Sequence, residues 1–431
     1  MAPSATTITQ QYASIDINEK SLRVNSTIND SGKEYGKTLT KDVLKGRIEA
    51  IDTDTCAAGD EDAFFVADMG EVYRQHLRWK MNLKRVKPHY AVKCNPDPEV
   101  LRLLAELGTG FDCASKSEIE QVLNLGVDPS RIIYAQPCKT KSYVRFAAEH
   151  GVKQMTFDNS DELYKIKSFF PDAELLLRIL TDDSTSLCRL SDKFGASLDT
   201  TIGLLTLAND LGLNVTGVSF HVGSGASDPQ SFDKAVRDAR IVFDQAADIG
   251  YNLKTLDVGG GFSGDLFESM ADVLSKALDE NFPSSVRIIG EPGRYYVASA
   301  FTLACNIIAR RDFRDPATME TNYMLYLNDG VYGNFSSLIF DHQIASPRIL
   351  SKRDVSNRST DYSLWGPSCD GIDRVTDTCT LHGVLDVGDW LYFEGMGAYT
   401  KCSATKFNGF TDNHDVVYVS SEPGASALLN F

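Results

Sequence analysis

Between about residue 89 and residue 293, short apolar runs alternate with longer segments whose apolar residues recur at helical spacing. Eight apolar runs are predicted to be strands: 89–93, 110–115, 131–136, 154–158, 174–180, 217–223, 255–260 and 286–293. The segments predicted to be helices, several of which end in glycine, are 97–108, 117–126, 141–151, 160–170, 198–212, 231–250 and a stretch within 265–281. Alternating strands and helices form a parallel sheet, and eight units are the number in a TIM barrel. We therefore predict an α/β fold built on a (β/α)8 TIM-like barrel, with a doubly wound open sheet as the alternative.

The segments that flank the barrel follow a different pattern. Before it, the sequence predicts a helix at 39–52 with Asp42 as its N-cap, a strand at 63–69 and a helix at 71–83. After about residue 295, long helical periodicity is missing, and this part is predicted to be a second, mostly antiparallel β domain that includes the strand at 63–69. Its own predicted strands are 295–311, 323–329, 364–369 and 389–395, with exposed loops at 312–322 and 351–363. The predicted divisions are a disordered N-terminus (1–35), an N-terminal segment of the β domain (36–70), the barrel (71–300) and the C-terminal β domain (301–431).

Composition narrows the class of protein. The 431 residues are 42% hydrophobic and 24% charged, which is typical of a soluble globular protein, and no apolar run is long enough to span a membrane. The N-terminus lacks the basic and apolar regions of a secretion signal and the arginines of a transit peptide. A net charge of −16 disfavours nucleic acid and anionic membranes as partners. Nine scattered cysteines without C-x-x-C spacing indicate reduced thiols and a cytoplasmic location, and we find no metal-binding motif.

Polar side chains collect at the ends of the predicted strands, where a parallel barrel has its active site. Lys93 ends the first strand run, His221 lies in the sixth and Glu291 in the eighth, while Asp112 lies in the second and Arg178 in the fifth. A desolvated lysine has a lowered pKa, so its neutral amine can form a Schiff base with an aldehyde. The alternative is a lysine whose stem packs while its ammonium reaches water.

The glycine-rich segment DVGGGFSG (257–264) matches the dinucleotide fingerprint G-x-G-x-x-G. However, it falls in the seventh unit rather than the first, and no acidic residue ends the next strand at the required distance. A glycine turn that exposes backbone N–H groups to a phosphate is the more general interpretation, and a merely tight turn remains open. Arg294 in EPGRYY could bind a phosphate, and so could Ser224 unless it caps a helix. A lysine for an aldehyde, donors for a phosphate and a carboxylate for a ring nitrogen together favour pyridoxal 5'-phosphate.

The motifs in their order resemble the eukaryotic ornithine decarboxylases, within the alanine-racemase-like class of pyridoxal-phosphate enzymes, and the details are most similar to fungal members. The resemblance covers about residues 60–412. The matching segments are PHYAVKCN, FDCASKSE, LLLRI, TDDSTSLCRLSDKFG, SFHVGSG, LDVGGGF, IGEPGRYY, NDGVYGNF, WGPSCDGID and FEGMGAYT.

This resemblance implies a role for each matching position. The cofactor-binding residues would be Lys93, Asp112, Arg178, His221, Ser224, Gly260, Gly261, Glu291, Gly293, Arg294 and Tyr399. Lys93 would hold the cofactor covalently, His221 would stack on its ring, Glu291 would pair with its ring nitrogen, and Glu118 would support the lysine and the ring. The substrate-binding residues would be Phe340, Asp341 and Asp370.

The resemblance also implies that Cys369 returns the proton to Cα, and that Cys369 and Asp370 enter the site from the other subunit of a homodimer. The segment 181–195 matches a mobile loop near the site, and the helix near 141–170 could bind an antizyme. Phe340 stands where the best-known animal members have a tyrosine.

The implied activity is decarboxylation of L-ornithine to putrescine and CO2. A decarboxylase of lysine, arginine or diaminopimelate is one alternative. A non-catalytic regulator of the antizyme-inhibitor kind is another, although such proteins lose cofactor residues that this chain keeps. A nicotinamide dehydrogenase is supported only by the glycine fingerprint.

Overall fold

A computed structural model of the chain describes residues 25–314, 321–353 and 358–431. At its centre eight parallel strands close into a barrel, in the order β10-β11-β2-β3-β4-β5-β6-β8. These strands are β2 (Val86–Ala91), β3 (Gly110–Cys113), β4 (Ile132–Tyr134), β5 (Gln154–Phe157), β6 (Glu174–Arg178), β8 (Asn214–Ser219), β10 (Thr255–Asp257) and β11 (Arg287–Gly290). Each lies in one of the predicted runs or overlaps it, so the predicted barrel is confirmed and the open sheet is wrong.

Seven helices of the barrel follow the predicted segments closely. They are α3 (Pro98–Glu106), α4 (Lys116–Asn124), α5 (Lys141–Glu149), α6 (Ser160–Phe169), α7 (Leu198–Asp210), α8 (Gln230–Ile249) and α9 (Phe267–Asn281). Local side chains define where they begin. Asp97 accepts hydrogen bonds from two N–H groups of the first turn of α3, and Ser115 and Asn159 each accept one such bond at the start of α4 and α6.

The barrel separates two apolar layers. Ile133 of β4 lies in a small cluster with Leu176 and Ile289, whereas its neighbours Ile132 and Tyr134 belong to the large core. Successive strand residues point to opposite faces, so alternate residues fill the barrel interior and the space under the helices. This packing fixes the strand ends from which the candidate site residues project.

The second domain is an eight-stranded sheet in which most neighbours are antiparallel. Its members are β1 (Phe64–Asp68), β12 (Phe301–Arg314), β13 (Thr321–Leu327), β14 (Pro347–Leu350), β15 (Ser359–Trp365), β16 (Arg374–His382), β17 (Trp390–Phe393) and β18 (Val416–Val419). The early strand β1 pairs with β12 and β18, which confirms that it belongs to this sheet. Three short helices complete this part of the chain: α10 (Arg294–Val297), α11 (Ser337–Phe340) and α12 (Pro423–Leu429).

Several boundaries differ from the prediction. The first helix, α1 (Asn25–Ala50), starts inside the segment predicted to be disordered, so Asp42 lies within it and is not its N-cap; residues 1–24 lie outside the described residues. The second helix, α2 (Met69–Asn82), agrees with the prediction. The predicted strand at 295–311 begins as the short helix α10, because an apolar run alone does not distinguish a helix from a strand.

In the second domain, β15 occupies part of the segment predicted to be an exposed loop. The sequence also missed β14, β16 and β18. The predicted domain boundaries stay predictions. Among the described residues, no helix is both long and apolar enough to cross a membrane.

Candidate active site

Lys93 lies just beyond the carboxyl end of β2, in the single helical turn Val92–Cys94. Its Nζ contacts Oδ2 of Asp112, which is fully buried on the neighbouring strand β3, while 40% of the lysine side chain is open to the cavity. Burial would lower the pKa of Lys93, but the carboxyl groups of Asp112 and Glu291 outweigh burial and raise it. The expectation of a lowered pKa is therefore wrong: the resting amine is charged.

His221 follows the end of β8 with its imidazole held in one orientation. Its Nδ1 accepts a hydrogen bond of 3.0 Å from the N–H of Gly223. Burial, with further contributions from Arg178 and Lys93, lowers its pKa well below the usual value, so the ring is neutral and its proton is assigned to Nε2. A Cβ on Gly260 would lie 2.7 Å from that Nε2, which is why a residue without a side chain is required there.

The glycine turn after β10 needs glycine for backbone reasons as well. Gly259 and Gly261 have φ angles of 62° and 101°, in the left-handed region that side chains disfavour. A Cβ on Gly259 would lie 2.1 Å from the carbonyl oxygen of Phe220. The turn is therefore sterically tight, which was one of the two interpretations of the glycine-rich segment. Gly260 and Gly261 of this turn also line the cavity that contains Lys93.

Arg294 opens α10 and connects three parts of the site. Its Nη2 donates to Oγ of Ser224 at 3.2 Å and to Oδ1 of Asp341 at 2.6 Å, and its guanidinium lies over the ring of Tyr399, 5.1 Å from the ring centre. Its Nε is buried without a hydrogen-bond partner. Because Nε is unused and Nη2 is shared between two acceptors, the guanidinium of Arg294 can still donate hydrogen bonds to an anionic ligand.

Glu291 is buried at the end of β11, and its backbone N–H donates to the carbonyl oxygen of Gly259 at 2.6 Å. Burial raises its pKa well above the usual value, and the nearby carboxyl groups of Asp112 and Asp257 raise it further. Its Oε1 and the Oδ1 of Asp112 are both buried without a partner. Such orphaned acceptors are costly unless a ligand with a matching donor satisfies them.

One cavity collects most of the predicted cofactor residues. Its lining includes Lys93, His221, Ser224, Gly260, Gly261, Glu291, Gly293, Arg294 and Tyr399. An amine, a buried carboxyl group and a cluster of hydroxyl and guanidinium donors therefore face one space. This donor set, with the orphaned atoms of Glu291, Asp112 and Arg294, fits a ligand that carries an aldehyde, a basic ring nitrogen and a phosphate.

Arg178 and Glu118, two further residues predicted to belong to the site, do not line this cavity. The guanidinium of Arg178 lies over the ring of Phe194, 5.2 Å from its centre, and contributes to the low pKa of His221. Glu118 accepts a hydrogen bond from the N–H of Ala114, and burial, together with the charge of Asp112, raises its pKa. Both remain predicted supporting residues.

The predicted substrate residues divide into two groups. Asp341 is buried beside the cavity, where it pairs with Arg294 and accepts from Nε2 of Gln343 at 2.9 Å. Phe340, next to it, is 67% exposed. Cys369 and Asp370 do not line this cavity.

Cys369 and Asp370 lie on an exposed loop of the β domain. The backbone N–H of Cys369 donates to Oδ1 of Asn408 at 2.9 Å, and the hydroxyl of Tyr332 donates to Oδ2 of Asp370 at 2.5 Å. A separate cavity beside this loop is lined by Tyr332, Ser368 and Phe407, among others, and does not include Lys93. A single chain therefore does not bring Cys369 to the predicted site of chemistry.

The segment 181–195 packs against the loop after β8, which supplies part of the cavity lining. Its short strand β7 (Ser186–Cys188) pairs with β9 (Ser224–Ala226), which continues from the His221 loop, and Oγ of Ser186 donates to the carbonyl oxygen of Val222 at 2.6 Å. The Sγ of Cys188 lies 3.6 Å from Oδ1 of Asp341. We call the segment 181–195 the lid.

Sequence reasoning missed four residues that act in this region: Asp257, Cys188, Gln343 and Asn408. Asp257 was the easiest to find, because it is a charged residue within a predicted strand run, as Asp112 is. Cys188 and Gln343 carried no signal, since their contacts depend on how the lid and α11 fold over the barrel. Asn408 has a φ of 54°, which no pattern of apolar residues reveals.

Comparison with known proteins defines the class. Residues 69–298 match the family model for the pyridoxal-binding domain of pyridoxal-dependent decarboxylases. The chain belongs to this family of pyridoxal-dependent decarboxylases, and its cofactor is pyridoxal phosphate.

Relatives refine this assignment. The ornithine decarboxylase of Neurospora crassa is 63% identical over 431 residues, covering 93% of this chain and 89% of that protein. Antizyme inhibitor 2 of Xenopus laevis is 50% identical over 385 residues, covering 86% of this chain and 83% of that protein. Among solved structures, the arginine decarboxylase of Paramecium bursaria Chlorella virus has a TM-score of 0.81 at 36% identity, covering 88% of this chain and 100% of that chain.

Proposed function

We propose that the chain is a pyridoxal-phosphate-dependent ornithine decarboxylase, which converts L-ornithine to putrescine and CO2 in the first step of a polyamine pathway. The observation that carries the proposal is the single cavity in which Lys93, Glu291 and Arg294 converge. The similarity to ornithine decarboxylases supports ornithine over lysine or arginine. An antizyme-inhibitor role is disfavoured because a regulator has no need for a complete cofactor site.

Each residue of the cavity has its own proposed role in binding the cofactor. Arg294 and Ser224, with the Gly260–Gly261 turn, would bind the phosphate, and Lys93 would bind the aldehyde carbon. When bound, the cofactor supplies an electron sink for the electron pair left on Cα as CO2 departs. Glu291 would hold the proton at the ring nitrogen, which keeps that sink effective. Neutral His221 would support the ring face without adding a competing charge.

Asp341 would bind the distal ammonium of the substrate. It is 5% exposed and already pairs with a cation, Arg294, which lines the cavity. A buried carboxylate with a cation-binding geometry suits the charged end of a diamino acid. The contact with Arg294 also links the ammonium site to the phosphate site through one side chain.

We further propose a homodimer in which each site receives Cys369 and Asp370 from the partner subunit. The support is that both residues are presented on an exposed loop, away from the cavity of their own chain. Exposed apolar side chains lie in two places: Ile372, Phe407 and Phe410 near this loop, and Phe340 and Ile344 beside Asp341. Such residues suit the core of an interface better than a free surface.

A cytoplasmic location is part of the same proposal. All nine cysteines are free, including the exposed Cys138, Cys369 and Cys402. Free exposed thiols are typical of a reducing compartment.

The direct test is to reconstitute the purified chain with pyridoxal phosphate and measure CO2 and diamine from ornithine, lysine and arginine. We expect cofactor absorbance and the highest kcat/KM with ornithine. The Lys93→Ala variant should lose both covalent cofactor binding and activity, whereas Lys116→Ala, a surface lysine paired with Glu120, should keep them. Absence of cofactor absorbance in the wild-type chain contradicts the proposal, and faster turnover of lysine contradicts the choice of substrate.

Shared sites are tested by complementation. Lys93→Ala and Cys369→Ala subunits are each expected to be inactive for putrescine formation. Mixed dimers carry one site with both native residues, so mixing should restore about a quarter of wild-type activity if exchange is random and interface strengths are equal. No recovery despite subunit exchange, shown by mass spectrometry of differently tagged chains, would rule out shared sites.

A further inference from the structure

The turn that carries His221 is packed between two segments of the chain. On one side lies the glycine turn after β10, where a Cβ on Gly261 would be 2.6 Å from the carbonyl oxygen of Gly223. On the other side lies the lid, where a Cβ on Gly223 would be 2.5 Å from the Cβ of Ser186. Gly223 also has a φ angle of 87°, which a residue with a side chain rarely adopts. Ser186 can therefore approach the turn closely only because residue 223 is a glycine.

Two hydroxyl groups of the lid donate hydrogen bonds to the backbone of this turn. Oγ of Ser186 donates to the carbonyl oxygen of Val222 at 2.6 Å, and Oγ1 of Thr181 donates to the carbonyl oxygen of His221 at 2.8 Å. Thr181 and Val222 are buried. Because a buried carbonyl group without a donor keeps the cost of desolvation, both bonds favour the conformation of the turn that the structure shows.

The carbonyl group that Ser186 binds belongs to the same peptide group as the donor that holds His221. The peptide group between Val222 and Gly223 presents its oxygen to Ser186 and its N–H to Nδ1 of His221, at 3.0 Å. A peptide group is planar, so fixing the direction of its C=O bond also fixes the direction of its N–H bond. The serine hydroxyl and the imidazole are therefore connected through one rigid unit, and hydrogen bonds in such a chain strengthen each other.

Ser186 itself is held in place by strand pairing. It lies in β7, which pairs with β9 in antiparallel register, with Ser186 opposite Ala226 and Cys188 opposite Ser224. Its backbone N–H donates to the carbonyl oxygen of Asp183 at 3.0 Å. The hydroxyl donor thus has a defined position relative to the turn, whereas a side chain on an unpaired loop would not.

We propose that Ser186 is a positioning residue for His221, because it holds the peptide group whose N–H orients the imidazole against the ring of the cofactor. Thr181 supports the same turn through the carbonyl group of His221. The inference rests on the proposed function of the cavity. None of the described residues that line this cavity belongs to the lid, so the lid contributes to the cofactor site through the backbone of the turn.

Nitrogen-15 NMR of the full chain with labelled histidine tests the connection directly, because the chemical shift of Nδ1 depends on whether it accepts a hydrogen bond. The signal of His221 is assigned by its loss in His221→Asn. In Ser186→Ala, we expect the Nδ1 signal to move towards that of an unbonded ring nitrogen. Thr181→Val should cause a shift in the same direction, whereas Thr181→Ser keeps the hydroxyl and should match the wild type. An unchanged signal in Ser186→Ala overturns the proposal.

The matched control is Ser227→Ala. Oγ of Ser227 donates to the carbonyl oxygen of Thr185 at 2.8 Å, so this variant removes a hydrogen bond between the lid and the segment after β9 without touching the turn of His221. Its Nδ1 signal should equal that of the wild type. An equal shift in Ser186→Ala and Ser227→Ala would mean that general loosening of the lid moves the ring, and the proposal would be wrong.

A second measurement uses the chain with pyridoxal phosphate bound. Circular dichroism of the cofactor band depends on how rigidly its ring is held. Ser186→Ala should weaken this band and release the cofactor about fivefold faster, which is the effect of losing one hydrogen bond. Ser227→Ala should do neither. Unchanged dichroism and release in Ser186→Ala also overturn the proposal. Absence of cofactor absorbance in the wild type contradicts the proposed function alone, since the NMR comparison does not require the cofactor.

Discussion

At the scale of single residues, the charge of Asp112 controls the state of Lys93. We predict that Asp112→Asn lowers the pKa of Lys93, because the carboxylate that outweighs burial is removed. The neutral fraction of the amine at pH 7–9 then rises. Labelling of Lys93 by an aldehyde and borohydride, followed by mass spectrometry, should show the midpoint at a lower pH by about one unit or more.

The control is Asp279→Asn, which removes a surface carboxylate paired with Arg85. It should leave the labelling profile of Lys93 unchanged. A midpoint for Asp112→Asn equal to that of the wild type would mean that Asp112 does not hold the ammonium form.

Residue types at strand ends were sufficient to predict most of this site. Lys93, His221 and Glu291 were found because barrel geometry brings the ends of distant strands together. Their ionisation was not predictable in the same way. The sequence indicated a desolvated lysine, but the pKa of Lys93 depends on how close the carboxyl group of Asp112 lies.

At the scale of elements, the lid is organised by one buried side chain, Asp183. Its Oδ2 accepts from the N–H groups of Leu190 and Ser191 at 2.5 and 2.9 Å, and its Oδ1 accepts from Oγ of Ser191. We predict that Asp183→Asn destabilises the closed lid by about 1.5–3 kcal/mol, because hydrogen bonds to a charged acceptor are weakened. Hydrogen exchange of residues 186–195 should become about 10- to 100-fold faster.

The neighbouring variant Asp182→Asn is a matched control. Asp182 is half exposed and pairs with Lys234 on the surface, so its loss should change exchange by less than about threefold. Equal acceleration in the two variants would show that Asp183 has no special role in the lid. The KM for ornithine should rise only in Asp183→Asn if the closed lid helps to retain the substrate.

Elements with a strong period were predictable, and the others were not. The eight barrel strands are buried apolar runs separated by amphipathic helices, which is an unambiguous pattern. In contrast, β16 (Arg374–His382) has mostly exposed or half-buried residues, so little apolar alternation marks it. The start of α1 at Asn25 falls among Ser, Thr, Asn and Asp, residue types with low helix propensity that do not mark a helix in the sequence.

At the scale of the whole molecule, the position of Cys369 could not be derived from residue patterns. The resemblance implied an intersubunit site, and the fold agrees with it to the extent that Cys369 and Asp370 stand outside the cavity of their own chain. The contact of Tyr332 with Asp370 and its stacking on Phe407, with ring centres 4.2 Å apart, order this loop from within the β domain. The loop is thus ordered within its own chain, which the proposed shared site requires.

The last prediction concerns the proposed dimer. Ile344 is 89% exposed, three residues from Asp341, in the apolar surface that we assign to the interface. We predict that Ile344→Asp weakens the dimer at least about 100-fold, because a carboxylate would be desolvated without a partner. Light scattering and activity measured across a dilution series should show dissociation and loss of putrescine formation at the same protein concentrations. Ile241→Asp, on the exposed face of α8, is the control and should change neither. A variant Ile344→Asp that stays dimeric and active on dilution would place the interface elsewhere.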